Sequence, residues 1–316
     1  MKIGVLMGGF SREKEISIRS GKAVLKALTD KGFQARPVEI FSHDFTEAIK
    51  PGAFDFAFIT LHGAGGEDGF VQSVLEKHHI PYLGSGPEAS ARAFNKITAK
   101  RIFERAGILT PAFEVLEVPD WKKKAEVLAY PVFIKPADEG SSIDVFCCQN
   151  AAELKEAMNG LIEKYGVVLA ERKITGRELT VGIVGNRALP VVEIKPKREF
   201  YDYQAKYDTT SGTEYIVPAV IPDAAAKKAQ EIALAVHLAL GLRDFSRVDL
   251  MLGDEGPYVL EANTIPGFTE TSLLPKAARA AGMNFQDLCV ELVRIAWERN
   301  QDEAKTQSKN EKVFTA

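Results

Sequence analysis

The sequence predicts an α/β fold with more than one lobe: a parallel sheet in the first lobe and antiparallel hairpins in the later ones. The chain has 316 residues, which is long for a single hydrophobic core. Near the N-terminus, apolar strand patterns alternate with amphipathic helix patterns, as parallel α/β units require. Later strand patterns flank glycine-containing turns, which indicates hairpins.

The first lobe is predicted for residues 1–93. Residues 2–7 and 54–61 are apolar enough for buried strands, and residues 15–31 and 70–79 have helical patterns. The order of strand, loop and helix is typical of a parallel sheet covered by helices.

The central lobe is predicted for residues 94–178. A helix over 95–106 is ended by a glycine and a Thr-Pro pair, and strands over 132–136 and 143–148 follow it. A polar loop that contains glycine and serine joins these two strands. We expect the second strand to return beside the first.

The third lobe is predicted for residues 179–302, with a polar, frayed tail over 303–316. Strands over 179–184 and 188–194 flank a Gly-Asn turn, and a helix over 224–240 ends at a glycine. A second hairpin spans 247–263, and Asn284 is the expected N-cap of a final helix over 285–299.

Composition excludes several classes of protein. Forty basic residues stand against 43 acidic ones, for a net charge of −3, so no basic excess suggests a nucleic-acid partner. No apolar run approaches the ~20 residues that a membrane span needs. The three cysteines have neither metal-ligand nor disulfide spacing. We therefore expect no membrane partner, reduced thiols and a cytoplasmic location.

The hairpin over 247–263 carries the most chemical information. If its turn centres on Glu255, the antiparallel register pairs Asp249 with Glu261 and Arg247 with Asn263. These four polar side chains then share one face. The opposite face is apolar and is formed by Val248, Leu250, Leu260 and Ala262.

Two opposed carboxylates need compensation. At ~5 Å and an effective dielectric constant of ~20 they repel by about 3 kcal/mol. A Mg²⁺ ion between them relieves this repulsion, since carboxylate and amide oxygens suit that ion. The alternative is a solvated face on which Arg247 neutralises one acid, and the hairpin alone does not choose between them.

Two further segments suggest phosphate and ligand binding. Lys135 ends a buried strand just before a loop with Gly140 and Ser141, and such a loop with a lysine can hold phosphate. The spacing fits neither a P-loop nor a dinucleotide fingerprint, and Lys96 is an equally weak candidate. His62 lies in a glycine-dense loop after a buried strand, where α/β sheets bind ligands. A surface lysine and a hydrogen-bonded loop histidine are the alternatives.

Together these segments resemble the D-alanine–D-alanine ligase family of the ATP-grasp superfamily. The resemblance runs from residue 3 to about residue 297, in family order, over GGFSREKEIS, LHGAGGEDG, IPYLGSGPEASARAFNK, FIKPADEGSS, FYDYQAKY, GTEYIVPA, RVDLML and LEANTIPGFTETSLLPKAA. It implies an ATP-grasp architecture, in which the central and C-terminal lobes grip ATP between antiparallel sheets. It also implies ligation of two D-alanines to D-alanyl-D-alanine through an acyl phosphate, for peptidoglycan precursor synthesis, and a homodimer.

The resemblance also implies site residues. Two Mg²⁺ ions, with Mn²⁺ as an alternative, would be held by Asp249, Glu261 and Asn263. ATP would contact Lys96, Lys135, Glu171, Arg172, Ile174, Glu178 and Lys206. The first D-alanine would bind Glu15 and His62, and Glu15 would be linked to Ser141 and Tyr207 as catalytic residues. Arg247 would stabilise the oxyanion, and the second substrate's carboxylate would bind Ser272 and Leu273.

The chain departs from the family pattern in places, and alternatives stay open. Asn95 replaces the usual aspartate before Lys96, and Asp144 replaces a loop glycine. A D-alanine–D-lactate ligase would differ in its second nucleophile, and its members commonly lack the tyrosine at position 207. A non-catalytic nucleotide-binding protein and another ATP-grasp enzyme are the remaining alternatives. The presence of Arg247, Asp249 and Glu261 argues against the non-catalytic protein.

Overall fold

Three β-sheets organise the part of the chain that the computed structural model describes. It describes residues 1–42, 45, 48–141, 143–197 and 212–314, with side chains up to 305. The sheets follow one another along the chain in the order expected for the three lobes. The lobe boundaries at residues 93, 178 and 302 remain a prediction.

The first sheet is parallel, as predicted. Strand β1 (Lys2–Gly8) lies between β2 (Gln34–Ile40) and β3 (Phe56–Ile59). Helices α1 (Lys14–Asp30), α2 (Phe70–Lys77) and α3 (Pro87–Phe94) complete this part. Sequence reasoning missed β2, because its charged residues and Pro37 weaken the strand pattern; proline is tolerated at a sheet edge, where β2 lies.

The second sheet is antiparallel, with the strand order β4-β7-β5-β6. Its strands are β4 (Phe113–Glu117), β5 (Val132–Pro136), β6 (Phe146–Cys148) and β7 (Val167–Arg172). Helix α4 (Lys96–Arg105) precedes it, and α5 (Trp121–Ala125) and α6 (Ala151–Tyr165) accompany it. A separate apolar cluster that includes Trp121, Leu154 and Met158 packs beneath this sheet.

The third sheet is also antiparallel and has the order β11-β10-β8-β12-β13, with β9 paired to β8. Its strands are β8 (Arg177–Val184), β9 (Arg187–Ala188), β10 (Val192–Lys195), β11 (Glu214–Ile216), β12 (Phe245–Gly253) and β13 (Gly256–Asn263). The helices of this part are α7 (Asp223–Ala239), α8 (Leu273–Ala280) and α9 (Phe285–Phe314).

The first and third sheets share one hydrophobic core. The ring centroid of Phe268 lies 5.6 Å from that of Phe58, 6.0 Å from Phe245 and 5.7 Å from Phe285. Aromatic pairs at these distances add to the stabilisation that burial provides. The loop after β13 is therefore held firmly beside the ends of β1 and β3.

The C-terminal helix is longer than predicted. The expected N-cap is present, since the backbone N–H of Asp287 donates to Asn284 Oδ1 at 2.9 Å. The helix then continues to Phe314, beyond the predicted end at residue 299, and a frayed tail over 303–316 stays a prediction. Charged pairs three and four residues apart, such as Arg299 with Glu303, support the extension. Within the described residues, no helix is both long and apolar enough to cross a membrane.

Candidate active site

Two adjoining cavities lie among the described residues, where the three sheets approach one another. The first has a volume of roughly 220 Å³, and its polar lining includes Glu13, His62, Glu67, Ser141, Arg247, Asn263 and Ser272. The second is roughly 90 Å³, and its polar lining includes Lys135, Glu178 and Asp249. Lys96, Glu139 and Glu261 line both cavities, which makes them one branched cleft.

The β12–β13 hairpin has the predicted register over its functional half. Arg247 pairs with Asn263 and Asp249 pairs with Glu261. All four residues line the cleft. Asp249 is only 6% exposed. The alternative interpretation, in which this polar face of the hairpin is solvated, therefore does not hold for Asp249.

The prediction that Leu260 belongs to the apolar face is wrong. The register shifts between Asp249 and Leu250, so that Leu250 pairs with Val259 and Leu260 is the extra residue of a β-bulge. Val259 therefore takes the core position, with no exposed surface, while half-buried Leu260 lines the second cavity. Sequence alternation could not reveal this, because a bulge changes the strand period at a single position.

Asp249 is held by three neighbours. Arg247 donates from Nε to Oδ1 at 2.9 Å and from Nη2 to Oδ2 at 2.7 Å, which is a bidentate ion pair. Thr180 Oγ1 donates to Oδ1 at 2.6 Å, and Asn263 Nδ2 donates to Oδ2 at 3.2 Å. These contacts fix the carboxylate at the wall of the second cavity.

The donor set around Asp249 fits a hard divalent cation. Asp249, Glu261 and Asn263 offer two carboxylates and one amide, which are oxygen ligands of the kind that Mg²⁺ binds. Opposed pairing places Asp249 and Glu261 side by side. Within the described ranges, no group of three His, Cys, Asp or Glu residues could hold a metal.

A buried cluster of three charges lies behind the second cavity. Glu171 is 2% exposed; its Oε1 accepts from Lys135 Nζ at 2.8 Å, and its Oε2 forms an ion pair with Lys100. Burial alone would raise the pKa of Glu171, but the two ammonium groups outweigh it and lower the pKa. Burial lowers the pKa of Lys100 to about 8.

Sequence reasoning missed Lys100. It lies on the buried stripe of α4, three residues after Ile97 and three before Phe103. A lysine on an apolar stripe is the signal that could have found it, because burial of a lysine requires a partner charge.

Lys96 is hydrogen-bonded to the loop after β5. Lys96 Nζ donates to the carbonyl of Glu139, and the Lys96 N–H donates to Ala137 O at 2.9 Å. Asn95 Oδ1 caps α4 by accepting from Thr98 N at 2.8 Å, and its amide donates to Asp138 Oδ1 at 2.6 Å. An aspartate at position 95 would repel Asp138, so the departure from the family pattern is accommodated here.

Glu13, and not Glu15, faces the first cavity. Helix α1 begins at Lys14, and Glu15 lies exposed in its first turn, outside the residues that line the cavity. Glu13 is 6% exposed, and Ser141 Oγ donates to its Oε1. The expectation for Glu15 is therefore corrected to Glu13, because the start of the helix turns the two carboxylates to different sides.

Two glycines make room for the carboxylate of Glu13. A Cβ on Gly63 would lie 2.9 Å from Glu13 Oε2, and one on Gly140 would lie 3.1 Å from it. Gly63 also has a φ of +70°, which side chains rarely adopt. The glycine-dense loop and the loop after β5 thus close around Glu13 from two sides.

His62 is buried and uses both ring nitrogens. Its Nδ1 lies 3.0 Å from the carbonyl of Ile265 and its Nε2 lies 3.2 Å from Ser20 Oγ. Since a carbonyl only accepts, Nδ1 carries the proton and Nε2 accepts from Ser20 in the neutral ring. Burial lowers the pKa of His62, in keeping with a neutral imidazole that orients the loop after β13.

Glu67 is a second carboxylate of this cavity that sequence reasoning missed. Its Oε2 accepts from the Gly63 N–H at 2.8 Å. Burial and the nearby Glu13 carboxylate raise the pKa of Glu67 to about 8, so it carries a proton at neutral pH. Its place in the glycine-dense loop was the available signal.

Comparison with known proteins decides the family. The family model described as D-ala D-ala ligase C-terminus matches residues 102–294. The curated D-alanine–D-alanine ligase of Desulforudis audaxviator is 42% identical over 305 residues, covering 94% of this chain and 99% of that protein. The chain belongs to the D-alanine–D-alanine ligase family. The ligase of Geobacter sulfurreducens is 44% identical, with 94% of each chain covered.

Solved structures of the D-alanine–D-alanine ligase family have the same fold. The Bacillus anthracis D-alanine–D-alanine ligase superposes with a TM-score of 0.85 at 34% identity, covering 96% of this chain and 99% of that one. The same enzyme complexed with ATP gives 0.84. VanG D-Ala:D-Ser ligase from Enterococcus faecalis gives 0.81 at 29% identity. The ATP-grasp architecture predicted from the family resemblance is confirmed.

Of the remaining residues predicted for the family site, some line the two cavities and others do not. Glu178 lines the second cavity, and Ser272 and Leu273 line the first, at the N-terminus of α8. Arg172 is the last residue of β7 and Ile174 follows two residues later; both lie outside the residues that line the two cavities. Lys206 and Tyr207 lie outside the described residues.

Proposed function

We propose that this chain ligates two D-alanines to D-alanyl-D-alanine, with conversion of ATP to ADP and phosphate, for peptidoglycan precursor synthesis. The observation that carries the proposal is the branched cleft. One branch holds groups suited to amino-acid termini, and the other holds groups suited to phosphate and a divalent cation. Membership of the D-alanine–D-alanine ligase family supports the same conclusion.

The smaller branch suits the nucleotide. Lys96 and Lys135 line it and would contact the phosphates, and Glu178 would accept from the ribose. The segment from Glu171 through Arg172 to Ile174 would border the adenine, with Lys206 as a further phosphate contact. Asp249, Glu261 and Asn263 would hold one or two Mg²⁺ ions, or Mn²⁺, which would screen phosphate charge during transfer.

The larger branch suits the two amino acids. Glu13, held by Ser141, would pair with the ammonium of the first D-alanine, and His62 would keep the surrounding loops in place. Ser272 and Leu273, at the start of α8, would receive the carboxylate of the second. Tyr207 remains part of this proposal by resemblance alone.

Chemistry would take place where the branches meet. A carboxylate oxygen of the first D-alanine attacks the γ-phosphorus of ATP, the bond to the β-phosphate oxygen breaks, and ADP leaves. The amine of the second D-alanine, having lost a proton, attacks the acyl carbon, and phosphate departs with the carboxylate oxygen. Arg247 lines the larger branch, beside Asp249 of the smaller one, and would stabilise the oxyanion of the tetrahedral intermediate.

Location and assembly are further proposals. The chain would work in the cytoplasm as a homodimer. Each subunit would consist of three lobes, over residues 1–93, 94–178 and 179–302. Buried Cys148 and Cys289 and half-buried Cys147 are free thiols, as in a reducing compartment.

A product assay tests the function. The chain is incubated with ATP, Mg²⁺ and D-alanine, with L-alanine, D-alanine plus D-lactate, and D-alanine plus D-serine as parallel arms, and products are read by mass spectrometry. We expect D-alanyl-D-alanine in equal amount to ADP. An ester with D-lactate as the main product would favour the D-alanine–D-lactate ligase instead, and ATP binding without turnover in any arm would favour a non-catalytic protein.

Glu13 and Glu15 offer a matched pair for the substrate branch. Glu13→Gln should raise the KM for D-alanine by roughly 10- to 100-fold, because it removes the charge that pairs with the ammonium. Glu15→Gln, two residues away and exposed, should leave KM unchanged. Steady-state kinetics with saturating ATP measures both. The reverse pattern, with Glu15→Gln impaired and Glu13→Gln normal, would contradict the assignment.

A further inference from the structure

We propose that Lys100 is a positioning residue that keeps the positive charge of Lys135 available to a ligand in the nucleotide branch, by cancelling the charge of Glu171 that would otherwise neutralise Lys135. The inference rests on the proposed function, because it takes the second cavity as the site of the ATP phosphates. It concerns a residue that does not line either cavity.

The geometry of the cluster carries the argument. Lys135 Nζ lies at the cavity wall with 16% of its side chain exposed, while Glu171 and Lys100 behind it are 2% and 1% exposed. Glu171 contacts one lysine with each oxygen. The order from the cavity inward is therefore cation, anion, cation.

Charge counting gives the consequence. A lysine paired with a buried glutamate presents no net charge to a ligand beyond it. With Lys100 protonated, the three groups sum to one positive charge, and Lys135 is the member nearest the cavity. Electrostatic interactions are strong in such a desolvated region, so one unit of charge matters to a ligand with several phosphates.

Lys100 is also fixed in place. Its Nζ donates to Thr110 Oγ1 at 2.7 Å and to the Val259 carbonyl at 3.3 Å, and Thr110 Oγ1 donates to the same carbonyl at 2.8 Å. Val259 belongs to β13, immediately before the bulged residue Leu260. The ammonium thus ties α4, the second sheet and the third sheet together beside the cavity.

The test compares the binding affinities of three ligands that differ in negative charge. Binding of ATP, ADP and adenosine to the full-length protein is measured by calorimetry at pH 7 for the wild type and for Lys100→Met. We expect ATP to bind about tenfold more weakly to the variant, ADP to be affected less and adenosine to be unaffected. A purely structural role for Lys100 would weaken all three ligands alike, and that result would overturn the proposal.

A second variant separates charge from folding. Lys100→Met combined with Glu171→Gln again leaves one positive charge, on Lys135, and should restore most of the ATP affinity. Failure of the double variant to bind ATP better than Lys100→Met would contradict the charge argument, and the double variant also serves if the single one does not fold. Arg299→Met is the control, since it breaks a buried ion pair with Asp244 whose two residues do not line the cleft.

The two proposals fail in distinguishable ways. A wild-type protein that binds adenosine and ATP equally, or binds neither, would contradict the nucleotide assignment itself. A wild type that prefers ATP, together with a Lys100→Met variant that keeps the same preference, would contradict only the role of Lys100.

Discussion

Arg247→Ala is expected to lower kcat by roughly 10²- to 10³-fold, because loss of one preorganised oxyanion donor costs about 2.7–4 kcal/mol of transition-state stabilisation. Arg247 lines the first cavity, and its pairing with Asp249, which lines the second, holds the guanidinium in one orientation. The measurement is steady-state kinetics with both substrates saturating, so that the effect appears in kcat.

The same substitution also removes the partner of a buried carboxylate, and a control is needed for that. Arg247→Lys keeps a positive charge near Asp249 but cannot form the bidentate hydrogen bonds of the guanidinium. We expect Arg247→Lys to recover most of the thermal stability lost in Arg247→Ala while remaining at least about tenfold slower than the wild type. An Arg247→Ala variant with normal kcat would falsify the oxyanion role.

Asp249→Asn is expected to reduce turnover by about 10²- to 10⁴-fold and to raise the Mg²⁺ concentration needed for half-maximal rate, because a neutral amide is a much poorer ligand for a divalent cation. The substitution conserves shape, and Thr180 can still donate to the remaining oxygen. Rates are measured across a Mg²⁺ titration, and Mn²⁺ binding by electron paramagnetic resonance gives a readout independent of activity.

Glu255→Gln is the matched control for Asp249→Asn. It neutralises an exposed carboxylate between β12 and β13 of the same hairpin, away from the cleft. Its Mg²⁺ dependence and rate should equal those of the wild type. If Asp249→Asn also kept the wild-type rate and Mg²⁺ dependence, the metal assignment would be wrong.

The hairpin illustrates how far sequence reasoning reaches. Side chains alternate along a strand and the turn fixes the register, so the pairing of Arg247 with Asn263 and of Asp249 with Glu261 followed from residue order. The bulge at Leu260 did not follow, because an extra residue on one strand leaves no trace in the alternation.

The charged residues of the site show a different limit of prediction from sequence. Glu13 and Glu15 both stand near the start of α1, and only the residue at which the helix begins decides which one faces the cavity. Boundaries of this kind are the least certain part of any prediction from sequence. The sequence could mark Lys100 and Glu67 as candidates, but the partners that bury them could not be predicted, since burial by distant segments depends on the whole fold.

The most direct test of the central claim, that the first D-alanine is activated as an acyl phosphate, follows the carboxylate oxygen. D-Alanine labelled with ¹⁸O in both carboxylate oxygens is turned over with ATP and Mg²⁺, and the phosphate and nucleotide products are analysed by mass spectrometry. Transfer of one labelled oxygen to inorganic phosphate, with ADP unlabelled, is the predicted result. Unlabelled phosphate, or label in AMP with release of pyrophosphate, would contradict the mechanism.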